Sequence, residues 1–254
     1  MHPVFFTIGP IQIRFYGLMY VLAIVVGYFL LKSEVRRKEM DLNADEVMNL
    51  IFWVVLGGII CARIYYVVFN WEYYWPDWRE IPAIWHGGLA IHGGIIGGLL
   101  GGYVYTRRKG VPFFRAADAV APSLILGQAF GRFGNFMNGD AHGVPTQMPW
   151  GMVFPSGSIA GEQFPNLPLH PTMLYEMAIN IAIFCFLWKI RKRSAKDGFI
   201  ISLYLIFYSV GRFIVSFYRA DSLMLGEIRA AHLASIVIIA VVTPLLIKKR
   251  LCSR

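Results

Sequence analysis

Long apolar runs separated by short polar segments dominate the chain. Their lengths are close to the about 20 mostly apolar residues that a helix needs to cross a bilayer. The runs cover about residues 15–31, 47–69, 87–105, 116–138, 173–188, 198–218 and 231–247. This pattern predicts an all-α, polytopic membrane protein with seven transmembrane helices, in which residues 1–254 form a single integral membrane domain.

Basic residues are concentrated at alternate ends of these runs. Most of the 24 lysines and arginines lie in four segments, at about 32–38, 107–115, 189–196 and 248–254. Because cytoplasmic loops are enriched in lysine and arginine, we expect these segments in the cytoplasm, the N-terminus outside and the C-terminus cytoplasmic. Neither residue type occurs from Phe133 to Trp188, so the loop at about 138–171 is expected to be external.

Composition agrees with a membrane protein. The chain is 57% hydrophobic and 15% charged, which excludes a soluble protein. The net charge is +9, but the basic residues lie mainly in alternate loops. Their distribution therefore indicates membrane topology and not a nucleic-acid partner. The cysteines Cys61, Cys185 and Cys252 show neither disulfide nor ligand spacing, and we expect no metal or cofactor.

A polar motif lies at the end of the fourth run. On a helix, four of its polar residues share one face: Gln128, Arg132, Asn135 and Asn138. A cationic side chain inside a membrane helix costs at least ~2.5 kcal/mol, so Arg132 is expected to face protein, water or an anionic ligand. The alternative is that Arg132 only ties neighbouring helices together.

A second arginine lies inside the sixth run, where polar residues recur every four positions: Tyr204, Tyr208, Arg212 and Ser216. Arg132 and Arg212 both lie about 14–16 residues from a cytoplasmic end, which places them in the outer leaflet. A phosphodiester accepts bidentate hydrogen bonds from guanidinium groups, so an anionic phospholipid headgroup is the simplest ligand. The alternative is that Arg212 pairs with Asp140 or another carboxylate nearby.

The third run contains a candidate for proton transfer. His86 and His92 are six residues apart, which is not a zinc-ligand spacing. We expect His92 one to two turns inside the span, where a neutral imidazole can accept a proton. The alternative is a histidine that only makes a hydrogen bond in a helix contact. Two glycine rows follow and predict close helix packing: Gly93, Gly97, Gly101 and Gly94, Gly98, Gly102.

Five ordered blocks in this chain resemble the prolipoprotein diacylglyceryl transferase family. They are FYGLMY at 15–20, HGG at 92–94, GRFGNFMNGDAHG at 131–143, HPTMLYE at 170–176, and Tyr208 with Arg212. The resemblance covers nearly the whole chain, from the first run to the sixth. Chance does not produce five such blocks in the family's order.

The resemblance implies an enzyme of the bacterial cytoplasmic (inner) membrane that begins lipoprotein maturation. Such an enzyme moves the diacylglyceryl group of phosphatidylglycerol to the thiol of the lipobox cysteine in a preprolipoprotein, forms a thioether and releases glycerol phosphate. Its partners would be phosphatidylglycerol, the lipobox peptide and the lipid bilayer, with the active site toward the outer leaflet and no nucleic acid.

The resemblance also implies roles for individual residues. The implied catalytic residues are His92, Arg132 and Arg212. The implied substrate-binding residues are Arg132, Tyr16, Asn135, Asp140, Gly143, His170 and Tyr208. Asp140 stands where many members have glutamate, which keeps a carboxylate. Ser216 stands where glutamate is common, which puts any acid–base role of that position in doubt. The proton acceptor stays open between His92 and a nearby carboxylate.

Two other classes of protein fit the sequence less well. A transporter would also place polar residues in a helical bundle, but the chain shows no internal repeat with broken helices at matching positions. A lipid-binding scaffold could use the same arginines, but would gain nothing from a histidine at their level.

Overall fold

The computed structural model describes residues 1, 3–9, 11–193 and 195–248, so Lys249, Arg250 and Cys252 lie outside the described residues. The first helices are α1 (Phe15–Arg37), α2 (Ala44–Phe69), α3 (Trp71–Tyr74), α4 (Ile91–Arg108) and α5 (Phe113–Asn138). They are followed by α6 (Ile159–Gln163), α7 (Thr172–Ile190), α8 (Phe199–Ser216) and α9 (Ala230–Lys248). Two antiparallel hairpins pair β1 (Val4–Ile8) with β2 (Ile11–Arg14), and β3 (Met224–Leu225) with β4 (Ile228–Arg229).

Each of the seven apolar runs lies largely within a helix, so the helical prediction is confirmed. Within the described residues, five helices are long and apolar enough to cross a membrane: α1, α2, α7, α8 and α9. The repeated glycines of α4 and the polar residues of α5 make these two helices less hydropathic. The two hairpins were not predicted, because short strands beside apolar runs carry no alternating pattern long enough to recognise.

The predicted position of His92 within its helix was wrong. Helix α4 begins at Ile91 and not near residue 87, so His92 lies in its first turn instead of one to two turns inside. Gly87 and Gly88 have φ angles of 88° and 78°, a left-handed conformation that a helix cannot include. Gly87 and Gly88, which belonged to the predicted run, therefore lie in the irregular segment that precedes α4.

The chain divides into two compact units, one formed by residues 1–30 with the chain from 117 onward, the other by residues 31–116. In the second unit, one glycine row of α4 lies directly on the backbone of α2. A Cβ atom added at Gly93 or Gly97 would come within 2.3 Å of the Cys61 carbonyl oxygen or 2.0 Å of the Gly57 carbonyl oxygen, respectively. At Gly98, in the other row, the nearest atom would be 3.6 Å away. Only the first row therefore requires glycine for packing.

This difference gives a matched pair of substitutions. Gly97→Ala should lower the free energy of unfolding by about 1–3 kcal/mol or more, since a methyl group cannot fit against backbone. Gly98→Ala should be neutral or stabilise by up to about 1 kcal/mol, because alanine favours a helix over glycine. Thermal unfolding of both variants in the same detergent checks this. Equal melting temperatures would contradict the packing seen at Gly97.

Arg63, the buried arginine of α2, has a structural role in the second unit. Its guanidinium lies 5.0 Å from the centroid of the Tyr74 ring. It donates hydrogen bonds of 2.5–3.3 Å to five backbone carbonyl oxygens, those of Glu80, Ile81, Ala83, Gly87 and Gly88. These bonds satisfy its donors, so Arg63 holds the segment before α4 in place.

In the first unit, a buried carboxylate of α5 holds the start of α8. Asp118 accepts hydrogen bonds from the backbone N–H groups of Gly198 at 3.0 Å and Ile201 at 2.9 Å. A carboxylate is favourable there because the N-terminal end of a helix carries a partial positive charge. Apolar side chains of α5, α7 and α8 pack together in the same unit: Ala121, Ile125, Ile183, Leu187, Phe199, Ile200 and Tyr204.

Candidate anion-binding site

The candidate site is organised around Glu176, a carboxylate in the first two turns of α7 that is only 4% exposed. Three arginines contact it. Arg132 Nη2 lies 2.6 Å from its Oε2 atom, while Arg219 Nη1 donates to Oε1 at 2.8 Å. Arg212 Nη1 also donates to Oε1. Arginines of α5, of α8 and of the segment after α8 thus meet on one buried carboxylate of α7.

The charges of this cluster do not balance. Among the described residues, three guanidinium groups are in direct contact with two carboxylates, since Glu176 contacts all three arginines and Asp221 pairs with Arg219. Counted over these direct contacts, one positive charge is in excess. The Arg132 and Arg212 side chains are 20% and 23% exposed, whereas that of Arg219 is 6% exposed. The accessible part of the cluster is the pair predicted from sequence, and it can accept a further anionic group.

The sequence-based alternative for Arg212 was pairing with a carboxylate, and this pairing is present. The partner is Glu176 and not Asp140. The contact of Arg132 with Glu176 also links α5 to α7, as the alternative for Arg132 supposed. Neither contact uses all the donors of these guanidinium groups, each of which carries five N–H bonds. Helix linking and anion binding are therefore compatible in this cluster.

The motif at the end of α5 orients Arg132. Arg132 Nη1 donates to Asn135 Oδ1 at 3.2 Å, and Asn135 Nδ2 donates to Asp140 Oδ1 at 2.6 Å. Burial raises the pKa of the Asp140 carboxyl above its ordinary value, although the hydrogen bond from Asn135 favours the ionised form. The amide of Asn135 thus connects the arginine to the carboxylate without an ion pair between them.

Ser216 is fully buried at the end of α8, and its hydroxyl has no hydrogen-bond partner among the described residues. Its backbone carbonyl oxygen accepts a hydrogen bond from Arg229 Nη1 of β4. The side chain at position 216 therefore brings no charge to the cluster, and Glu176 supplies its buried negative charge.

Tyr16 and Tyr208 lie in the same unit as the arginines. A Cβ atom at Gly134 would come within 2.8 Å of the Tyr16 ring, so Tyr16 lies against the α5 backbone two residues after Arg132. Tyr208 stacks on Tyr204 with ring centroids 5.9 Å apart. The Tyr204 hydroxyl accepts a hydrogen bond from Gln128 at 3.0 Å, so the predicted polar faces of α5 and α8 meet.

Gly143 and His170 touch each other through their backbones. The Gly143 N–H donates to the His170 carbonyl oxygen at 2.9 Å, and Gly143 also forms a β-bridge with Arg219. A Cβ atom at Gly143 would lie 2.6 Å from both His170 Cβ and the Tyr218 carbonyl oxygen. Only glycine fits between these two chain segments, so Gly143 has a positioning role.

His92 belongs to the second unit, whereas the other predicted site residues belong to the first. Its side chain is exposed, and its ring centroid lies 5.9 Å from that of Tyr65 in α2. Its role in catalysis stays a prediction from sequence. The first unit brings together the remaining set: Tyr16, Arg132, Asn135, Asp140, Gly143, His170, Tyr208 and Arg212.

Sequence reasoning missed Glu176 and Arg219 as members of the site. Glu176 ends the HPTMLYE block at 170–176, but the sequence pattern gives it no role. A signal was available, since an acidic residue near the start of an apolar run needs a cationic partner. Arg219 follows the end of the sixth run, where the sequence pattern gives it no role. Its contact with Glu176 spans 43 positions in the chain, which local patterns do not reveal.

These features define a class, a multi-pass helical membrane protein with a positively charged, partly accessible arginine cluster among its helices. The chain belongs to the prolipoprotein diacylglyceryl transferase family, whose model matches residues 3–248. It is 42% identical over 277 residues to the phosphatidylglycerol–prolipoprotein diacylglyceryl transferase of Fusobacterium nucleatum, covering 95% of this chain and 96% of that protein. It is 43% identical to the Staphylococcus epidermidis protein of the same name, with 98% and 89% coverage, and 41% identical to that of Clostridioides difficile, with 93% and 91% coverage.

Proposed function

We propose that this protein transfers the diacylglyceryl group of phosphatidylglycerol to the lipobox cysteine of a preprolipoprotein. A sulfur–carbon bond forms as the bond between the glycerol carbon and the phosphate oxygen breaks, so the products are a thioether and glycerol phosphate. The observation that carries the proposal is the accessible pair Arg132 and Arg212 with its excess positive charge. Family membership and the names of the relatives support the same reaction.

The arginine cluster suits this chemistry because negative charge grows on the departing phosphate. Arg132 and Arg212 would bind the phosphodiester and stabilise that charge. Asn135 and Asp140 would hold Arg132 in the required orientation. The binding region around the lipid headgroup would be formed by four further residues: Tyr16, Gly143, His170 and Tyr208. The protein's own cysteines are not needed as nucleophiles, since the peptide brings the thiol.

The thiol must lose its proton to become a good nucleophile. A free cysteine has a pKa near ~8.5, so only a small fraction is thiolate at neutral pH. A base or a positive potential would raise that fraction. On the resemblance alone, His92 is the proposed acceptor of this proton.

His92→Gln should lower turnover about 10²-fold at neutral pH, because glutamine keeps a hydrogen-bonding side chain but cannot accept a proton. Affinity for phosphatidylglycerol should change little. Raising the pH toward the pKa of the peptide thiol should partly restore turnover, since the substrate then ionises without help. Turnover measured against pH and normalised to folded protein checks this. Parallel pH profiles with near-equal rates would remove His92 from the mechanism.

A purified-component assay tests the proposed reaction. The protein is incubated in nanodiscs with phosphatidylglycerol and a lipobox peptide, and the peptide is weighed by mass spectrometry. We expect a gain of one diacylglyceryl group, with none on a peptide that has serine in place of cysteine. A transporter or a lipid-binding scaffold would leave the peptide unchanged. An unchanged peptide alongside an active relative in the same assay would overturn the proposal.

We further propose that the chain crosses the bacterial inner membrane seven times, with the N-terminus and the segment 138–171 outside, the C-terminus in the cytoplasm and the arginine cluster toward the outer leaflet.

In a variant with serine at all three cysteines, Ser156→Cys should react with an impermeant thiol reagent in spheroplasts. Lys192→Cys should react only after permeabilisation. Both positions are exposed. The reverse labelling pattern would overturn this orientation.

A further inference from the structure

A short chain of hydrogen bonds ends on His170. Trp150 Nε1 donates to the Tyr175 hydroxyl oxygen at 2.7 Å, and the same hydroxyl lies 3.1 Å from His170 Nδ1. The indole N–H can only donate, so it uses an acceptor position of the tyrosine oxygen. The tyrosine's own proton is then available for His170 Nδ1. An imidazole whose Nδ1 accepts in this way carries its proton on Nε2 when it is neutral.

The backbone also holds His170 beside the arginine cluster. Its N–H donates to the Val144 carbonyl oxygen at 3.1 Å, and its carbonyl oxygen accepts from Gly143, the residue that bridges to Arg219. Tyr175 directly precedes Glu176 on α7. The imidazole ring is further packed against Tyr218, with ring centroids 5.0 Å apart. Both the ring and its backbone are therefore constrained.

We propose that Trp150 and Tyr175 are positioning residues that hold His170 as its Nε2–H tautomer, which makes His170 a neutral hydrogen-bond donor to the anionic headgroup. The inference rests on the proposed function for the identity of that anion, a phosphodiester. Phosphate oxygens only accept hydrogen bonds, so an Nε2–H group complements the arginines without adding charge. A histidine in this tautomer does not take the thiol proton through Nε2.

The tautomer can be measured without any activity. The protein is labelled with 15N-histidine in lipid bilayers, and the ring nitrogens are recorded by NMR at about pH 8.5, where an ordinary imidazole is neutral. The chain has six histidines, and loss of signals in His170→Gln identifies those of His170. We expect protonated Nε2 and unprotonated Nδ1 in the wild type, and a mixture of tautomers in Tyr175→Phe.

Protonated Nδ1 in the wild type, or an unchanged tautomer in Tyr175→Phe, would overturn the proposal. If Tyr175→Phe does not fold, Trp150→Phe removes the indole donor and should produce the same redistribution. Tyr218→Phe is the matched control, because it keeps a ring beside His170 and should leave the tautomer unchanged. Because these readings need no substrate, a failure of the proposed reaction would be visible separately.

Kinetics separate a donor from a base. Tyr175→Phe should raise KM for phosphatidylglycerol about 3- to 10-fold with a smaller change in kcat, as expected for a lost neutral hydrogen bond. His170→Gln places an amide N–H near the position of Nε2 and should stay within about 10-fold of the wild type. His170→Asn, whose amide corresponds to Nδ1, should be weaker. Loss of turnover in His170→Gln that high pH restores would show a base and contradict the donor role.

Discussion

Replacing Glu176 with glutamine should lower the free energy of unfolding by about 3–5 kcal/mol, because it leaves buried guanidinium groups without their shared counter-charge. Of the two carboxylates in direct contact with the three arginines, only Asp221 would then remain charged. Turnover per folded protein should fall more than 10²-fold, since Arg132 and Arg212 would no longer be held in place. Thermal unfolding in detergent and the peptide mass assay check the two effects.

Two comparisons sharpen this experiment. Glu162→Gln removes an exposed carboxylate of the same unit and should leave the melting temperature unchanged. Sulfate should raise the melting temperature of Glu176→Gln more than that of the wild type, because the variant has a larger positive excess for an anion to neutralise. A variant that melts like the wild type and ignores sulfate would show that Glu176 does not organise the cluster.

Arg132→Lys should lower turnover about 10²- to 10³-fold although it keeps the charge. Two different nitrogens of this guanidinium contact Asn135 and Glu176, and a lysine ammonium cannot reproduce that fork while also binding a phosphodiester. Turnover and KM for phosphatidylglycerol, normalised to folded protein, measure the loss. Arg108→Lys, at an exposed position of α4, is the control and should behave as the wild type. Near-normal turnover of Arg132→Lys would mean that charge alone suffices.

The helices could be predicted from the sequence because apolar runs of membrane length have few other structures open to them. The ends of the helices were less predictable. In the sequence, Gly87 and Gly88 belong to an apolar run that would start the helix there. Their positive φ angles in the structure show that α4 begins later. Likewise, both glycine rows of α4 look equivalent in sequence. The approach of α2 to Gly97 but not to Gly98 depends on how the two helices pack.

The candidate site was predictable in its cations but not in their partner. Arg132 and Arg212 stand out because charge inside an apolar run is costly. Which carboxylate they meet depends on the alignment of α7 with α5 and α8, and no local pattern encodes that alignment. For this reason the sequence offered Asp140 or another nearby carboxylate as a possible partner of Arg212, whereas Glu176 makes the contacts in the structure.

The hydrogen bonds from Gly198 and Ile201 to Asp118 constrain how the protein is assembled during translation. Asp118 and Gly198 are 80 residues apart in the chain. At ~5–20 residues per second, the ribosome would deliver the start of α8 about 4–16 s after Asp118. Helix α5 is therefore synthesised before the backbone groups that will hold its carboxylate. A chain that terminates before residue 198 would therefore lack both of these bonds between α5 and the start of α8.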